Sequence, residues 1–350
     1  MINVMKIGNK QIGEGSPCFI IAELSANHNG SLEIAKETIR AAKRAGADAI
    51  KLQTYTPDTL TIKSNKDYFK IEGGTLWDGK TLYDLYGEAY TPWEWHKELF
   101  DLAKEEGLVC FSSPFDFTAV DFLDELEVPA YKIASFEIQD IPLIEYAASK
   151  GKPIIMSTGI ATLEDIELAV DTCRKAGNDD IALLKCTSSY PAPLDLANLN
   201  TILDMKERFG VEVGFSDHTY GSLAPVVATT LGAKIIEKHF ILDKSVGGPD
   251  ADFSLDEKEF DEMVKAVRDT ESLLGKTSYE ISEKVKKNRK FARSLFVVSD
   301  VKAGDVISDQ NIRSIRPGYG LHPKHYKEIL GKKFTRNIDQ GEPLNLDMFE

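Results

Sequence analysis

The chain has 350 residues, 42 Lys and Arg against 56 Asp and Glu, and a formal net charge of −14 at pH 7. That length suits one large domain plus a small one. The acidic balance argues against nucleic acid and anionic membranes as partners, although a few lysines in a cleft would still bind a small anionic substrate. No run of about 18 apolar residues is present to span a membrane. The start, MINVMKIGNKQIGEG, lacks the apolar core of a secretory signal. The four cysteines, Cys18, Cys110, Cys173 and Cys186, form no CxxC pair and read as buried free thiols, so a cytoplasmic protein is expected.

From residue 18 onward, short β-branched runs alternate with amphipathic helical stretches. The strand candidates are 18–25, 49–55, 109–115 and 130–137, then 153–159, 181–189, 211–218 and 235–243. Between them, LEIAKETIRAAKRAG, PWEWHKELFDLAKEEG, LEDIELAVDTCRKAG and EKEFDEMVKAVRDTESLLG carry helical periodicity. Gly46, Gly107, Gly177, Gly210 and Gly275 stand where helix C-termini are expected. Eight strands, each followed by a helix, within about 250 residues match a (β/α)8 TIM barrel. A doubly wound open sheet is the alternative, but GxGxxG is missing after its first strand. The connection at about 56–91 is long, aromatic and Gly-rich, and is expected to shape a pocket. Residues 279–290 read as a polar linker. Residues 291–350, with SLFVVSDVKAGDVIS and LNLDMF as strand-like pieces, read as a small second domain after a first domain at 1–278.

Polar residues collect at the C-terminal ends of the predicted strands, the rim where barrel active sites sit. They are Glu23; Lys51 and Gln53; Ser112 and Ser113; Lys132, Ser135 and Glu137; Ser157 and Thr158; Lys185, Thr187, Ser188 and Ser189; Ser216, Asp217 and His218; Glu237, Lys238 and His239. Buried polar groups cost free energy unless paired, so eight polar ends together imply a ligand-lined mouth. Lysines with hydroxyls suit a phosphorylated or carboxylated substrate. His218 and His239 end adjacent strands and could converge on one ion, with Mn²⁺, Co²⁺ or Zn²⁺ better suited than Ca²⁺. His96 lies on a helix and reads as packed or solvated.

The segments IIAELSANHNG, KLQTYTPDT, YKIASFEI, MSTGIAT, KCTSSYP, GFSDHT, EKHFILD and GPDADFSLD, in that order, resemble the sialic acid synthase family over nearly the whole length. RSLFVVSDVKAGDVI and IRPGYG are similar to the antifreeze-protein-like (SAF) domain that ends these enzymes. N-acetylneuraminate synthases read closer to E-I-G-x-N-H and F-Q-T-F-K at the first two sites. ELSANHNGSLEIAKETI, KLQTYTPDTLTI and GTLWDGKTLYDLYGEAYTPWEWH instead resemble the branch that uses a di-N-acetylated deoxy amino sugar.

The resemblance implies condensation of phosphoenolpyruvate with that sugar, 2,4-diacetamido-2,4,6-trideoxy-altrose, and a divalent metal ion (Mn²⁺, Co²⁺ or Mg²⁺) on His218 and His239. It implies that Lys51, Lys132, Ser135, Ser157, Ser188 and Ser216 hold phosphoenolpyruvate, with Ser188 standing where N-acetylneuraminate synthases usually have Asn. Glu23 would handle the attacking water. Gln53, Glu137, Tyr190, Asp250 and Arg316 would meet the sugar. A 6-deoxy sugar calls for an apolar wall, and Tyr55, Tyr68, Phe69, Trp77, Tyr83 and Tyr86 are the candidates. The resemblance also implies a domain-swapped homodimer with Arg316 acting across it. An N-acetylneuraminate or legionaminic acid synthase is the alternative within the family. Outside it stand a Schiff-base aldolase, since strand-end lysines can form imines, and a non-catalytic carbohydrate- or ice-binding protein.

Overall fold

The computed structural model describes residues 5–72 and 77–350. The chain begins with a hairpin that sequence periodicity does not reveal: β1 (Met5–Ile7) pairs antiparallel with β2 (Lys10–Ile12). Three-residue strands are too short for alternation to register. Eight parallel strands then close into a barrel: β3 (Phe19–Glu23), β4 (Ala49–Thr54), β5 (Val109–Pro114), β6 (Tyr131–Ile133), β7 (Ile154–Ser157), β8 (Ile181–Cys186), β9 (Glu212–Asp217) and β10 (Ile235–His239). Each neighbours the next in sequence, and β10 returns to β3. The fold is the (β/α)8 barrel expected from the repeat.

The strands β6, β8 and β10 are shorter than the apolar runs suggest. Ser135–Glu137 turns into a 3-10 helix, and the chain leaves the sheet after Cys186 and His239. The helices are α1 (Leu32–Arg44), α2 (Pro57–Leu60), α3 (Leu82–Ala89), α4 (Trp93–Glu105), α5 (Phe117–Glu125), α6 (Ile141–Ser149), α7 (Leu163–Lys175), α8 (Thr201–Phe209), α9 (Leu223–Thr230) and α10 (Glu257–Leu274). Their starts carry the expected capping chemistry. Thr162 with Asp165, and Asp256 with Glu259, form capping boxes at α7 and α10. Gly210 ends α8 in the left-handed conformation, at φ 63. The 56–91 connection contains α2, a 3-10 turn at Asp67–Phe69 and α3; residues 73–76 lie outside the described part.

Two compact units divide the chain, residues 1–275 and 276–350. In the second, α11 (Glu283–Asn288) occupies the polar segment read as a linker. Then β11 (Ser294–Val297) pairs antiparallel with β12 (Ile312–Ile315) over a core of Leu295, Val297, Ile307, Ile312, Phe334 and Leu344, and α12 (Tyr326–Ile329) follows. LNLDMF, read as strand-like, contains instead a 3-10 turn at Leu346–Met348. Among the described residues no helix is long and apolar enough to cross a membrane.

Candidate active site

Side chains alternate across a strand, and here the alternation sorts them into two apolar clusters. Ile20, Ala22, Ile50, Leu52, Ile154, Met156, Leu183 and Ile236 belong to the layer between sheet and helices. Phe19, Ile21, Ala49, Phe111, Ile155, Leu184 and Ile235 fill the bore, together with Met5, Ile7 and Ile12 of the hairpin, which plugs its N-terminal end. Gly214 also belongs to the bore. A Cβ there would collide with the Ile235 carbonyl and the Leu184 side chain, so the bore has no room for one. Continuing the same parity toward the strand ends gives Glu23, Lys51, Gln53, Ser113, Lys132, Ser157, Ser216, Glu237 and His239. The bore therefore changes from apolar to polar along its length.

Four charged side chains meet at that level. Lys51 pairs closely with Glu23 and lies 3.9 Å from Glu237; Lys132 lies 3.6 Å from Glu237. All four are at least 95% buried. Lys132 Nζ donates to Ser157 Oγ at 2.6 Å, Lys51 Nζ to Ser113 Oγ at 3.3 Å, and Ser216 Oγ to Glu237 Oε1 at 3.0 Å. Burial pushes the Glu23 carboxyl up to about 7, although Lys51 beside it pulls the other way. Burial also acts on Glu237, but Lys132, Lys51 and the Ser216 hydroxyl outweigh it and hold that carboxyl below its ordinary value. Burial drives the Lys132 ammonium down, whereas Glu23 and Glu237 together keep Lys51 above its usual value despite burial. Glu237 is thus the counter-ion shared by both lysines. The sequence showed it at a strand end but gave it no role; its spacing of two from His239 places both on one face of β10.

Ser135 and Ser188 flank Gly159 on the loops above this level. Gly159 N–H donates to Ser135 Oγ at 3.0 Å, and a side chain at 159 would collide with both hydroxyls. Ser188 Oγ is buried, with the Tyr190 hydroxyl beside it. Glu137 Oε2 is buried without a hydrogen-bond partner, and burial raises that carboxyl to about 7.

The two histidines converge, their ring centroids 5.4 Å apart. His218 Nδ1 donates to the Thr187 carbonyl at 3.0 Å, which fixes a proton on Nδ1 and leaves Nε2 as the nitrogen able to offer a lone pair. Cys186 Sγ lies 3.7 Å from the same nitrogen. Burial lowers His218, but Cys186 and Thr187 outweigh it and raise the imidazole above its ordinary value; a cation at Nε2 would displace that proton. Burial, His218 and the lysines hold His239 neutral, well below the ordinary imidazole range. His239 Nδ1 is buried without a hydrogen bond, 3.8 Å from Asp250 Oδ2. Among the described residues no group of three or more His, Cys, Asp or Glu is arranged to hold a metal ion. Two neutral-capable imidazoles with an orphaned ring nitrogen fit an ion that takes its remaining ligands from water and substrate.

A second network joins the histidine side to Glu23. Gln53 Nε2 donates to Glu23 Oε1 at 3.2 Å and to Ser25 Oγ at 3.0 Å; Ser25 Oγ donates to Asp250 Oδ2 at 2.5 Å. Ser25 has φ 47, a left-handed conformation that costs a non-glycine residue about 1–2 kcal/mol. It stands where the E-I-G-x-N-H pattern has glycine. Sequence reasoning assigned it nothing, although the glycine of that pattern was a signal that this position takes a left-handed backbone. Tyr190 packs against His218 with centroids 4.4 Å apart and the rings tilted by 50°, and Trp77 meets Tyr190 at 5.9 Å while its Nε1 donates to the Pro249 carbonyl at 3.2 Å. A cavity of about 570 Å³ lies outside this pair, bordered by Asn29, Trp77, Lys80, Glu88 and Asp252. Of the six aromatics considered for an apolar wall, Trp77 is the one that reaches Tyr190. Tyr55 packs on Tyr86 and Phe115, and Tyr68 is exposed.

Not every polar strand end faces the mouth. Lys238 has the opposite parity to Glu237 and His239. It pairs with Asp217 at 2.5 Å, both fully buried in the outer layer, and also donates to the Thr219 carbonyl. Ser112 bonds Thr54 at 2.6 Å, and Thr54 bonds His96 Nε2 at 2.8 Å, so these groups tie sheet to helix. Arg316 lies in the second unit, just after β12, and is exposed.

Fold and comparisons together define a (β/α)8-barrel enzyme that ends in a SAF domain. The NeuB family matches residues 38–279 and the SAF domain residues 292–350, and the chain belongs to the NeuB family. It is 52% identical to a pseudaminic acid synthase of Campylobacter jejuni, over 99% of this chain and 100% of that one. It is 51% identical to a pseudaminic acid synthase of Helicobacter pylori, over 95% and 98%. A solved N-acetylneuraminic acid synthetase from Leptospira borgpetersenii, in complex with citrate, superposes with a TM-score of 0.73 at 32% identity, covering 82% of this chain and 95% of that one. These similarities do not favour the Schiff-base aldolase or the non-catalytic reading.

Proposed function

We propose that the chain is a transferase that condenses phosphoenolpyruvate with 2,4-diacetamido-2,4,6-trideoxy-altrose and water to give pseudaminic acid and phosphate. The observation that carries the chemistry is the buried pair Lys51 and Lys132, each bonded to a serine hydroxyl and sharing Glu237, beside two converging imidazoles. The choice of sugar is supported by full-length similarity at 51–52% identity to pseudaminic acid synthases.

Phosphoenolpyruvate is an enol ester with a nucleophilic C3. Lys51, Lys132 and the hydroxyls of Ser135, Ser157, Ser188 and Ser216 hold its carboxylate and phosphate, in a site where low water content strengthens each contact. Gln53, Glu137, Tyr190 and Asp250 orient the sugar, with Trp77 supplying apolar surface near its deoxy carbon. His218 and His239 would hold a divalent ion (Mn²⁺, Co²⁺ or Mg²⁺), which would supply Lewis-acid polarisation of the aldehyde oxygen. C3 forms the new bond to the aldehyde carbon as the carbonyl π pair moves onto its oxygen, and C2 acquires oxocarbenium character. Glu23 takes a proton from water as its oxygen adds to C2. Phosphate leaves with its bridging oxygen by C–O cleavage, the two protons of the added water end on the new hydroxyl and on phosphate, and the open-chain product closes to a pyranose. We place this reaction in the cytoplasm, where the four buried thiols stay reduced.

The enzyme is a homodimer in this reading, with each SAF domain serving the partner barrel and Arg316 holding an N-acyl oxygen in trans. Arg316 is exposed, so its side chain is available to a second subunit. Mixing Arg316→Ala and Glu23→Ala subunits should restore activity, since one site of the mixed dimer then carries neither defect. No recovery after verified subunit exchange would refute the trans arrangement.

Phosphate release with three purified acceptors tests the sugar. The altrose derivative should give the highest kcat/KM, above the legionaminic precursor and N-acetylmannosamine. A preference for either of the others would reassign the enzyme within its family.

A further inference from the structure

We propose that Ser25 is a positioning residue for the acceptor sugar, binding Gln53 and Asp250 into one array through a single hydroxyl. The inference rests on the assignment of Gln53 and Asp250 to the sugar made above. Three separate elements meet at this atom. Ser25 follows β3, Gln53 lies on β4, and Asp250 lies in the loop after β10. Ser25 Oγ accepts from Gln53 Nε2 at 3.0 Å and donates its one proton to Asp250 Oδ2 at 2.5 Å. Ser25 is 4% exposed and Asp250 8%, so water does not readily replace the hydroxyl.

Backbone geometry separates this role from a purely structural one. Ser25 is held at φ 47, inside a turn closed by Asn27 N–H donating to the Leu24 carbonyl at 3.0 Å. Glycine would occupy that conformation without strain. A serine there makes the turn less favourable, and the hydroxyl's two bonds are what it brings in exchange. Because Gln53 also bonds Glu23, the same atom links the sugar side to the group that handles water. Losing the hydroxyl removes one of the two groups that hold the Asp250 carboxylate, the Ala26 N–H being the other, and releases one arm of the Gln53 amide, which loosens the acceptor while leaving the lysine and serine contacts to phosphoenolpyruvate intact.

The test compares Ser25→Gly and Ser25→Ala with wild type, using whichever of the three precursors wild type turns over best. The identity of that precursor tests the assigned function; the mutant-to-wild-type ratio tests Ser25. Ser25→Gly should melt at the same temperature as wild type or higher, yet lose about ten- to a hundredfold in kcat/KM for the acceptor, the loss expected for one hydrogen bond to a charged group. The KM for phosphoenolpyruvate should stay within twofold. Ser25→Ala should show the same kinetic loss without the gain in melting temperature. Combining Ser25→Gly with Gln53→Ala should cost less than the product of the single losses, since both act on one array. Acceptor kinetics within twofold of wild type in Ser25→Gly would overturn the proposal. So would an equal rise in both KM values, which would mark a general loosening of the barrel rim.

Discussion

The two ends of the barrel bore are built from the same eight strands and differ in what they bury. At the N-terminal end, Phe19, Ile21, Ala49, Phe111, Ile155, Leu184 and Ile235 close on the hairpin's Ile7 and Ile12. One or two pleats further on, the same strands bury Glu23, Lys51, Lys132 and Glu237, with the half-buried His239 at the rim. The first arrangement gains from every apolar group removed from water, about 1.5–3 kcal/mol for a fully buried large aliphatic side chain. The second desolvates four charges and recovers stability only through their mutual pairing. Stability is concentrated at one end so that costly, reactive groups can be held dry at the other.

Breaking the polar end should abolish chemistry and spare the fold. His218→Ala or His239→Ala should reduce turnover to background while far-UV circular dichroism stays unchanged. Dialysis against EDTA should do the same to wild type, with recovery on adding Mn²⁺, Co²⁺ or Mg²⁺; full activity in the chelated enzyme would remove the ion from the reaction. Glu23→Gln should lower kcat by about 10²–10⁴-fold, the range of a general base, with little change in either KM. Glu23 must be ionised to accept a proton, and burial raises its carboxyl to about 7. In wild type, kcat/KM should therefore fall as pH drops through about 7, and the residual activity of Glu23→Gln should lose that limb.

The outer layer should respond in the opposite way. Lys238 is one residue from Glu237 and from His239 but pairs with Asp217 between sheet and helices. Lys238→Met leaves Asp217 unpaired and should cost about 3–5 kcal/mol in denaturant unfolding. A stable variant would mean that the pair is accessible to water. The smallest effect belongs to the plug. Ile7→Val should lose about 0.5–1.5 kcal/mol of stability with kcat unchanged, and a drop in kcat would show that the two ends are mechanically coupled.

The barrel was legible because its signals are repeated: eight apolar runs, helical periodicity between them, and glycines such as Gly210 that end helices. The convergence of His218 and His239 was legible for a related reason, since residues ending adjacent parallel strands must meet. Strand parity was harder. Glu237, Lys238 and His239 look equally polar in sequence, and a one-residue difference sends Lys238 to the other face. The hairpin was too short to show a period, and the strain at Ser25 exists only once the turn is built.

The central claim, that the polar rim joins phosphoenolpyruvate to a sugar aldehyde through attack by C3 and addition of water at C2, is tested most directly by isotope. Phosphoenolpyruvate labelled with ¹⁸O in the bridging position is turned over with the acceptor, and both products are analysed by mass spectrometry. C–O cleavage places the label in phosphate. Label retained in the nine-carbon sugar would mean that water attacked phosphorus, and would contradict the roles given to Glu23 and the lysine pair.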